Sequence, residues 1–239
     1  AWMYGIVLVV MMAGNGKLYY VAAAYPVLFA GGAVALETLT RRPPLRLLRR
    51  VYPALTALLA VFALPLTLPV LSVNDFVAYE NYFGLMPKSD ERTGVGDLPQ
   101  LYADQFGWED FVERVARIYA TLTPEEQRQC VIYVRNYGEA GAIDFFGKRY
   151  GLPGALCAHN NYWLWGPGER TGNVAIIVGH DRDLDDNLRD LRRRYSSVEQ
   201  AGETSCLHCM PYENGRLLFL CKGMNTSFQQ LWPTEKFYI

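Results

Sequence analysis

Residues 51–73 read VYPALTALLAVFALPLTLPVLSV, and these 23 residues carry no charged side chain. Residues 18–36, LYYVAAAYPVLFAGGAVAL, form a second uncharged run of 19 residues. An apolar stretch of about 18 or more residues is long enough to cross the hydrocarbon core of a bilayer as a helix. The two runs therefore predict transmembrane helices. The alternative, two buried core helices of a soluble protein, is disfavoured by their lengths.

The segment between the two runs, ETLTRRPPLRLLRR, holds five arginines and one glutamate. Short loops rich in arginine stay on the cytoplasmic side of a membrane. We therefore expect the first helix to run inward, the second to run outward, and everything from Asn74 onward to be extracytoplasmic. The small residues AGGA at 30–33 and the prolines within the helices indicate packing inside a larger helical bundle.

The chain begins inside an apolar run, AWMYGIVLVVMMAG, without the basic region and cleavage site of a signal peptide. We expect residue 1 to be an internal point of a longer membrane protein, although a processed mature terminus would look similar. The predicted organisation is a membrane region at 1–73, a connector at 74–100 that reads as irregular, and a domain at 101–239. The predicted membrane helices cover about 1–14, 18–38 and 51–73.

Short apolar segments alternate with helical patterns in residues 101–239. The predicted strands are CVIYV at 130–134, ALCA at 155–158, VAIIV at 174–178 and RLLFLCKG at 216–223. Strands alternating with helices predict a three-layer α/β domain around a mostly parallel sheet. The last strand follows a long loop, and we expect it to join the sheet antiparallel.

Polar and aromatic side chains follow three of the predicted strands. They are Asn136, Tyr137 and Glu139; then His159, Asn160, Asn161 and Trp163; then His180 and Asp181. Ligands of α/β domains bind beyond the carboxyl ends of the strands. Amides and carboxylates pair with sugar hydroxyls and aromatic rings stack on sugars, so we predict a carbohydrate or lipid-linked sugar site. The alternative is that Glu139 only stabilises a helix N-terminus and that the tryptophans lie in the core or face the membrane.

The stretch GNGKLYY at 14–20 lies at the predicted external mouth of the first membrane helix. Lys17, with Tyr19, Tyr20 and Tyr25, supplies a cation and phenol donors, which suit the phosphate of a polyprenyl-phosphate lipid. Pro26 is expected to loosen the helix beside such a site. A snorkelling lysine within an interfacial aromatic belt is the alternative.

Two stretches resemble a known family. GKLYYVAAAYPVLFAGGAVALE at 16–37 is similar to a late membrane segment of bacterial GT-C type glycosyltransferases of the protein-mannosyltransferase-like group, which includes aminoarabinose transferases. An alanine replaces the proline often found just before the Tyr-Pro pair of that segment. NYGEAGAIDFFGKRYGLPGALCAHNNYWLWGPG at 136–168 resembles the external C-terminal domain attached to many of these proteins. Together the resemblances cover most of residues 15–239.

The resemblance implies transfer of a sugar from a polyprenyl-phosphate-linked donor to a glycan, lipid or protein acceptor, at the bacterial inner membrane. The family's catalytic acidic residue is expected upstream of residue 1, so no catalytic residue is assigned and the 239 residues alone are expected to be inactive. No cofactor is evident and a divalent-metal requirement is left open. The alternative is a membrane-anchored extracytoplasmic sugar-binding or sensor module without catalysis.

The net charge of −1 argues against a nucleic-acid partner. Of five cysteines, Cys130 and Cys157 lie in predicted strands and read as core thiols. Because an extracytoplasmic compartment is oxidising, we expect a disulfide between Cys209 and Cys221, or between Cys206 and Cys221 as the second choice. A zinc site at CLHC is disfavoured, since no second ligand pair stands at metal spacing.

Overall fold

The computed structural model describes residues 2–14, 16, 18–85, 94, 96–180 and 183–238. The chain divides into two compact units, Ala1–Met86 and Pro87–Ile239. The division falls within the predicted connector at 74–100.

The first unit is helical. Its elements are α1 (Trp2–Ala13), a 3₁₀ segment (Leu18–Ala24), α2 (Tyr25–Thr40), a 3₁₀ turn (Pro43–Leu45), α3 (Leu48–Thr67) and α4 (Val73–Phe83). Within the described residues, two helical spans are long and apolar enough to cross a membrane, with mean hydropathies of 1.5 and 1.6. They are Tyr19–Thr40 and Pro43–Thr67, and almost no side chain of either is buried. The two predicted membrane helices are therefore present as helices of suitable length.

Pro26 lies in the first turn of α2 and does not interrupt a helix. A proline fits this position because the first N–H groups of a helix have no intrahelical partner and its fixed φ matches the helix. The expectation that Pro26 loosens the helix is therefore wrong: the preceding residues form a 3₁₀ segment and the α-helix begins at Tyr25.

The predicted span 51–73 ends earlier than expected, at Thr67, and a separate helix follows it. Ser72 caps that helix, α4, by accepting the N–H of Asp75 at 3.3 Å, and Gly84 ends it in the left-handed region with φ of 65°. The Tyr79 hydroxyl donates to the Phe62 carbonyl at 2.6 Å and so joins α4 to α3. The prediction of an irregular connector is wrong for residues 74–83.

The second unit is an α/β domain. Its helices are α5 (Gln100–Ala103), α6 (Trp108–Ala120), α7 (Pro124–Gln129), α8 (Tyr137–Phe146), α9 (Leu184–Arg194) and α10 (Phe228–Glu235). Its strands are β1 (Cys130–Val134), β2 (Ala155–Cys157), β3 (Val174–Val178), β4 (Tyr195–Glu203) and β5 (Leu217–Met224). The strand order is β2-β1-β3-β5-β4.

The sheet is mixed. β1 pairs in parallel with β2 and β3, whereas β5 pairs antiparallel with β3 and β4. Four strands thus share one direction and β5 opposes them, as expected for the last strand, but the hydrogen-bonded pairs are not mostly parallel. The reason is the hairpin connection: β4 and β5 are joined by the loop 204–216, and directly joined neighbouring strands run antiparallel.

Apolar side chains alternate between the two faces of the sheet. Ile132, Ile176 and Leu218 pack on one face with α6 and α8. Phe219 and Phe228 pack on the other with side chains of α9 and α10. The predicted three-layer arrangement is therefore present. The carboxyl ends of β1, β2 and β3 meet at one edge, where the loop 204–216 also lies.

Candidate functional site: a cleft at the carboxyl edge of the sheet

An open cleft of about 430 Å³ lies at this edge of the sheet. Its lining residues are Gln100, Asp104, Trp108, Arg135, Asn136, Tyr137, Gly138, His159, His180, Tyr212, Glu213, Arg216 and Phe237. They come from α5, α6, the residues that follow β1, β2 and β3, the loop 204–216 and the C-terminal segment. The sequence predicts a site at the carboxyl ends of the strands, and the cleft opens at this edge of the sheet.

Asn136 begins α8 and holds its first turn. Its Oδ1 accepts the N–H of Glu139 at 2.9 Å, while Glu139 Oε2 accepts the N–H groups of Arg135 at 2.7 Å and Asn136 at 3.3 Å. These reciprocal bonds form a capping box, which satisfies N–H groups that the helix leaves without a partner. The sequence-based alternative, that Glu139 stabilises a helix N-terminus, is therefore confirmed.

Glu213 is the second acidic side chain at the base of the cleft. Asn136 Nδ2 donates to Glu213 Oε1 at 2.8 Å. Thr204 positions the loop, because its Oγ1 donates to the Glu213 carbonyl and accepts the N–H of Arg216, both at 2.8 Å. Asn136 donates to both carboxyl groups, through its N–H to Glu139 and through Nδ2 to Glu213, so the two are neighbours. Glu139 itself is only 2% exposed.

Burial and the neighbouring Glu139 carboxyl raise the pKa of Glu213 to about 8. Burial also raises the pKa of Glu139, although two backbone N–H groups and the charge of Arg216 favour its ionised form. Two adjacent buried carboxyl groups do not both ionise at neutral pH, since each charge disfavours the other. The pair therefore holds one proton, which Glu213 shares with Glu139.

Two guanidinium groups line the same cleft. Arg216 Nη1 donates to the His180 carbonyl at 2.7 Å and, at 3.5 Å, to the Gly179 carbonyl. Its Nε is buried and has no hydrogen-bond acceptor among the described residues. Arg135 directly follows β1 and also borders the cleft.

Aromatic rings supply the apolar part of the cleft. The ring of Tyr137, which is half exposed, stacks on His159 with centroids 5.0 Å apart and planes at 27°. Phe237 lies on His159 with centroids also 5.0 Å apart. The Trp108 ring lies against Gly138, where a Cβ would stand 3.0 Å from its Cη2. Glycine at 138 therefore allows the indole to approach the first turn of α8.

Four of the predicted sugar-binding residues, Glu139, Asn160, Asn161 and Trp163, do not line the cleft. Trp163 Nε1 donates to the Trp232 carbonyl and Trp232 Nε1 donates to the Trp163 carbonyl, each at 2.9 Å. Asn160 donates its N–H to the Phe237 carbonyl at 2.8 Å, and Asn161 is exposed. Of the side chains predicted to follow the strands, Asn136, Tyr137, His159 and His180 line the cleft, and Glu139 lies directly beneath it. Asp181 lies outside the described residues.

The cysteine pairing predicted from the sequence is wrong. Cys221 is fully buried on β5, opposite Ala175 and Val198, within the apolar cluster that packs against α10. Cys209 instead lies beside Cys206, to whose Sγ it donates its N–H at 3.1 Å. All five cysteines are free. The β5 strand points Cys221 into the core, so neither Cys209 nor Cys206 pairs with it.

The predicted lipid-phosphate residues belong to the first unit. Lys17 lies outside the described residues. Tyr19 and Tyr20 lie in the 3₁₀ segment, exposed and edge to face with centroids 4.9 Å apart, and Tyr25 begins α2. Elsewhere in the described residues, no group of three or more His, Cys, Asp or Glu side chains is arranged to hold a metal ion.

The sequence analysis did not predict four of the residues that line the cleft: Trp108, Glu213, Arg216 and Phe237. Glu213 and Arg216 flank an Asn-Gly pair, whose local pattern indicates a turn and nothing more. Trp108 begins the amphipathic helix α6 and packs against the core cluster of the sheet. No local signal shows that these segments meet at one edge of the sheet.

No known family, curated protein or solved structure matches this chain.

Proposed function

We propose that this chain is the C-terminal part of a membrane glycosyltransferase and that the cleft of its α/β domain binds a saccharide. In this proposal the sugar comes from a polyprenyl-phosphate donor, and the α/β domain lies on the extracytoplasmic face of the cell membrane. The observation that carries the saccharide proposal is the cleft, where exposed aromatic faces adjoin planar polar groups. Such pockets suit ligands that offer both a C–H face and many hydroxyl groups.

The aromatic wall supports saccharide binding most directly. Tyr137 keeps about half of its surface exposed, although its ring is held in a fixed orientation by His159. The described side chains around it include an amide and guanidinium groups, which form directional hydrogen bonds with hydroxyl oxygens. A sugar ring can stack on the fixed face of Tyr137 while its hydroxyl groups bind the polar groups around it.

Tyr137→Ala tests saccharide binding against a matched control on the same helix. Phe145, also on α8, is 73% exposed and does not line the cleft, so Phe145→Ala removes a comparable ring elsewhere. We expect mono- and oligosaccharides to bind the detergent-solubilised chain. Binding is measured as a change in tryptophan fluorescence. Tyr137→Ala should weaken binding about five- to tenfold and Phe145→Ala should leave it unchanged. Equal effects of the two variants, or no binding of any saccharide, would contradict the proposal.

The first unit supports the proposal that the sugar donor is linked to a membrane lipid. It offers two helical spans of membrane length, Tyr19–Thr40 and Pro43–Thr67. Five exposed arginines lie within residues 41–50, two of them between the spans and three at the start of the second span. Arginine-rich connections face the cytoplasm, so the α/β domain is assigned to the opposite side. Added protease should cleave the α/β domain in spheroplasts before lysis. Protection until lysis would place the domain in the cytoplasm and remove this part of the proposal.

Lys17 separates a transferase from a binding or sensor module. A charge-assisted contact contributes about 1.5–3 kcal/mol, so Lys17→Ala should reduce transfer from a polyprenyl-phosphate sugar about tenfold or more. Sugar transfer is measured in membranes that contain the full-length natural protein. Lys17→Arg keeps the positive charge and should therefore retain more transfer activity than Lys17→Ala. Saccharide binding without any transfer would favour the sensor module.

A further inference from the structure

The arginines of the cleft differ from most others in the α/β domain. Arg114, Arg117, Arg149, Arg189 and Arg194 each form an ion pair with an aspartate or glutamate. Arg135 and Arg216 form no ion pair among the described residues, although both line the cleft. Two cations that border one cavity without a carboxylate within ion-pair distance leave the cavity suited to an external anion.

The hydrogen-bonding groups at this end of the cleft are mainly donors. The side chain of Arg135 makes no hydrogen bond among the described residues, and Arg216 uses only Nη1, leaving its buried Nε without an acceptor. The Asn136 amide is already engaged on both sides. A neutral sugar hydroxyl needs partners that both donate and accept, whereas an anionic oxygen needs only donors.

The acidic side chains do not cancel this preference. Glu139 and Glu213 share one proton, so the pair carries one negative charge rather than two, and that charge lies next to Arg216. Arg135 has no compensating carboxylate within ion-pair distance among the described residues. The other carboxylate that lines the cleft, Asp104, belongs to the residue that ends α5, on a different element from Arg135 and Arg216. The strand edge is therefore the cationic, donor-rich end of the cleft.

We infer that the saccharide bound in the cleft carries an anionic group, a phosphate or a carboxylate, held by Arg135 and Arg216. This inference rests on the proposed saccharide function and narrows its substrate class. A guanidinium group presents two parallel N–H donors that match the oxygens of either anion. The aromatic wall of Tyr137 and Trp108 would then contact the sugar ring.

The test compares ligands that share one ring. Methyl glucoside, glucose 6-phosphate and glucuronic acid are titrated into the full 239-residue chain in detergent, with inorganic phosphate as a fourth probe. We expect at least one of the two charged sugars to bind about tenfold or more tightly than methyl glucoside, and more tightly than inorganic phosphate. Whether the phosphate or the carboxylate sugar binds better identifies the anion.

Two variants connect the preference to the arginines. Arg135→Gln and Arg216→Lys should each reduce the preference for the charged sugar over methyl glucoside to about threefold or less, because the affinity for the charged sugar falls more than the affinity for methyl glucoside. Arg189→Gln, on α9 and outside the cleft, is the control and should change neither. Unfolding temperatures identify a variant that fails to fold. Because the Arg135 side chain makes no hydrogen bond or ion pair with the described residues, Arg135→Gln is expected to fold normally.

The outcomes are distinguishable. Equal binding of neutral and charged sugars would overturn the inference and leave the saccharide function intact. Binding of no sugar at all would overturn both the inference and the saccharide function. Binding of inorganic phosphate as tightly as the charged sugars would also overturn both. A preference for charged sugars that survives in both arginine variants would overturn the assignment of the anion site.

Discussion

Asn136 links the helix that follows β1 to Glu213, 77 residues further along the chain, through a hydrogen bond of 2.8 Å. The same amide caps α8 through its oxygen. One side chain thus fixes both a helix terminus and a carboxyl group that lines the cleft, so changes at Asn136 should affect stability and ligand binding together.

Asn136→Ala should lower the free energy of unfolding by about 1–3 kcal/mol, because it removes a cap and leaves Glu213 without its donor. Ser227 caps α10 through an equivalent capping box away from the cleft, and it is the matched control. Ser227→Ala should cost about 1 kcal/mol in chemical denaturation and leave saccharide binding unchanged. Unchanged saccharide binding in Asn136→Ala would show that the amide does not position Glu213.

Glu213→Gln should change the pH dependence of stability. The folded state raises the pKa of Glu213 to about 8, whereas an unfolded glutamate titrates near its ordinary value of about 4.3. Between these values the folded state binds more protons than the unfolded state, so stability is full below the lower value and declines as the pH rises toward 8. Glutamine does not ionise, and the decline from pH 5 to 8.5 should flatten in the variant.

Glu126→Gln is the control for this experiment. The hydrogen bond from Lys222 lowers the pKa of Glu126 to about 2. Its contribution to stability is therefore present above the ordinary carboxyl pKa and lost only as the pH falls toward 2. The slope between pH 5 and 8.5 should be the same as in the unmodified chain, and a flattened slope in both variants would contradict the assignment to Glu213.

Gly138→Ala and Gly141→Ala test the approach of Trp108 to α8. Both glycines lie in the same helix, but a Cβ at 138 would meet Trp108 at 3.0 Å and Asn136 Oδ1 at 3.1 Å, whereas a Cβ at 141 meets nothing within 4 Å. Gly141→Ala should be neutral or stabilise by up to about 1 kcal/mol through helix propensity. Gly138→Ala should destabilise by about 1 kcal/mol or more and weaken saccharide binding. Similar gains for both variants would show that the indole is free to move.

The cysteines should differ in their reactivity toward a maleimide. Cys206 and Cys209 are partly exposed, whereas Cys130, Cys157 and Cys221 are buried. Burial and the neighbouring Cys206 raise the pKa of Cys209 to about 12, which lowers its thiolate fraction. Labelling of the reduced native chain should begin at Cys206, continue at Cys209 and reach the other three only on unfolding. A Cys209–Cys221 bond in the oxidised chain, detected by peptide mass, would contradict the structure.

Local patterns predicted most of the elements. Uncharged runs of 19 and 23 residues indicated the two long apolar helices, and apolar segments bounded by turns indicated β1, β2, β3 and β5. Helix boundaries were less accurate. α2 begins at Tyr25 and α4 stands apart from α3, because Pro26 and the Ser72 cap decide where helical hydrogen bonding starts.

The sequence by itself determined the apolar spans and the strand–helix alternation, since each depends on the spacing of near neighbours along the chain. Only the tertiary structure decided which side chains form the cleft. It brings Glu213 and Arg216 beside Asn136, and it sends Trp163 to Trp232 and Cys221 into the core. Strand order and the path of the loop 204–216 depend on contacts between residues far apart in the sequence, and no local spacing encodes these contacts.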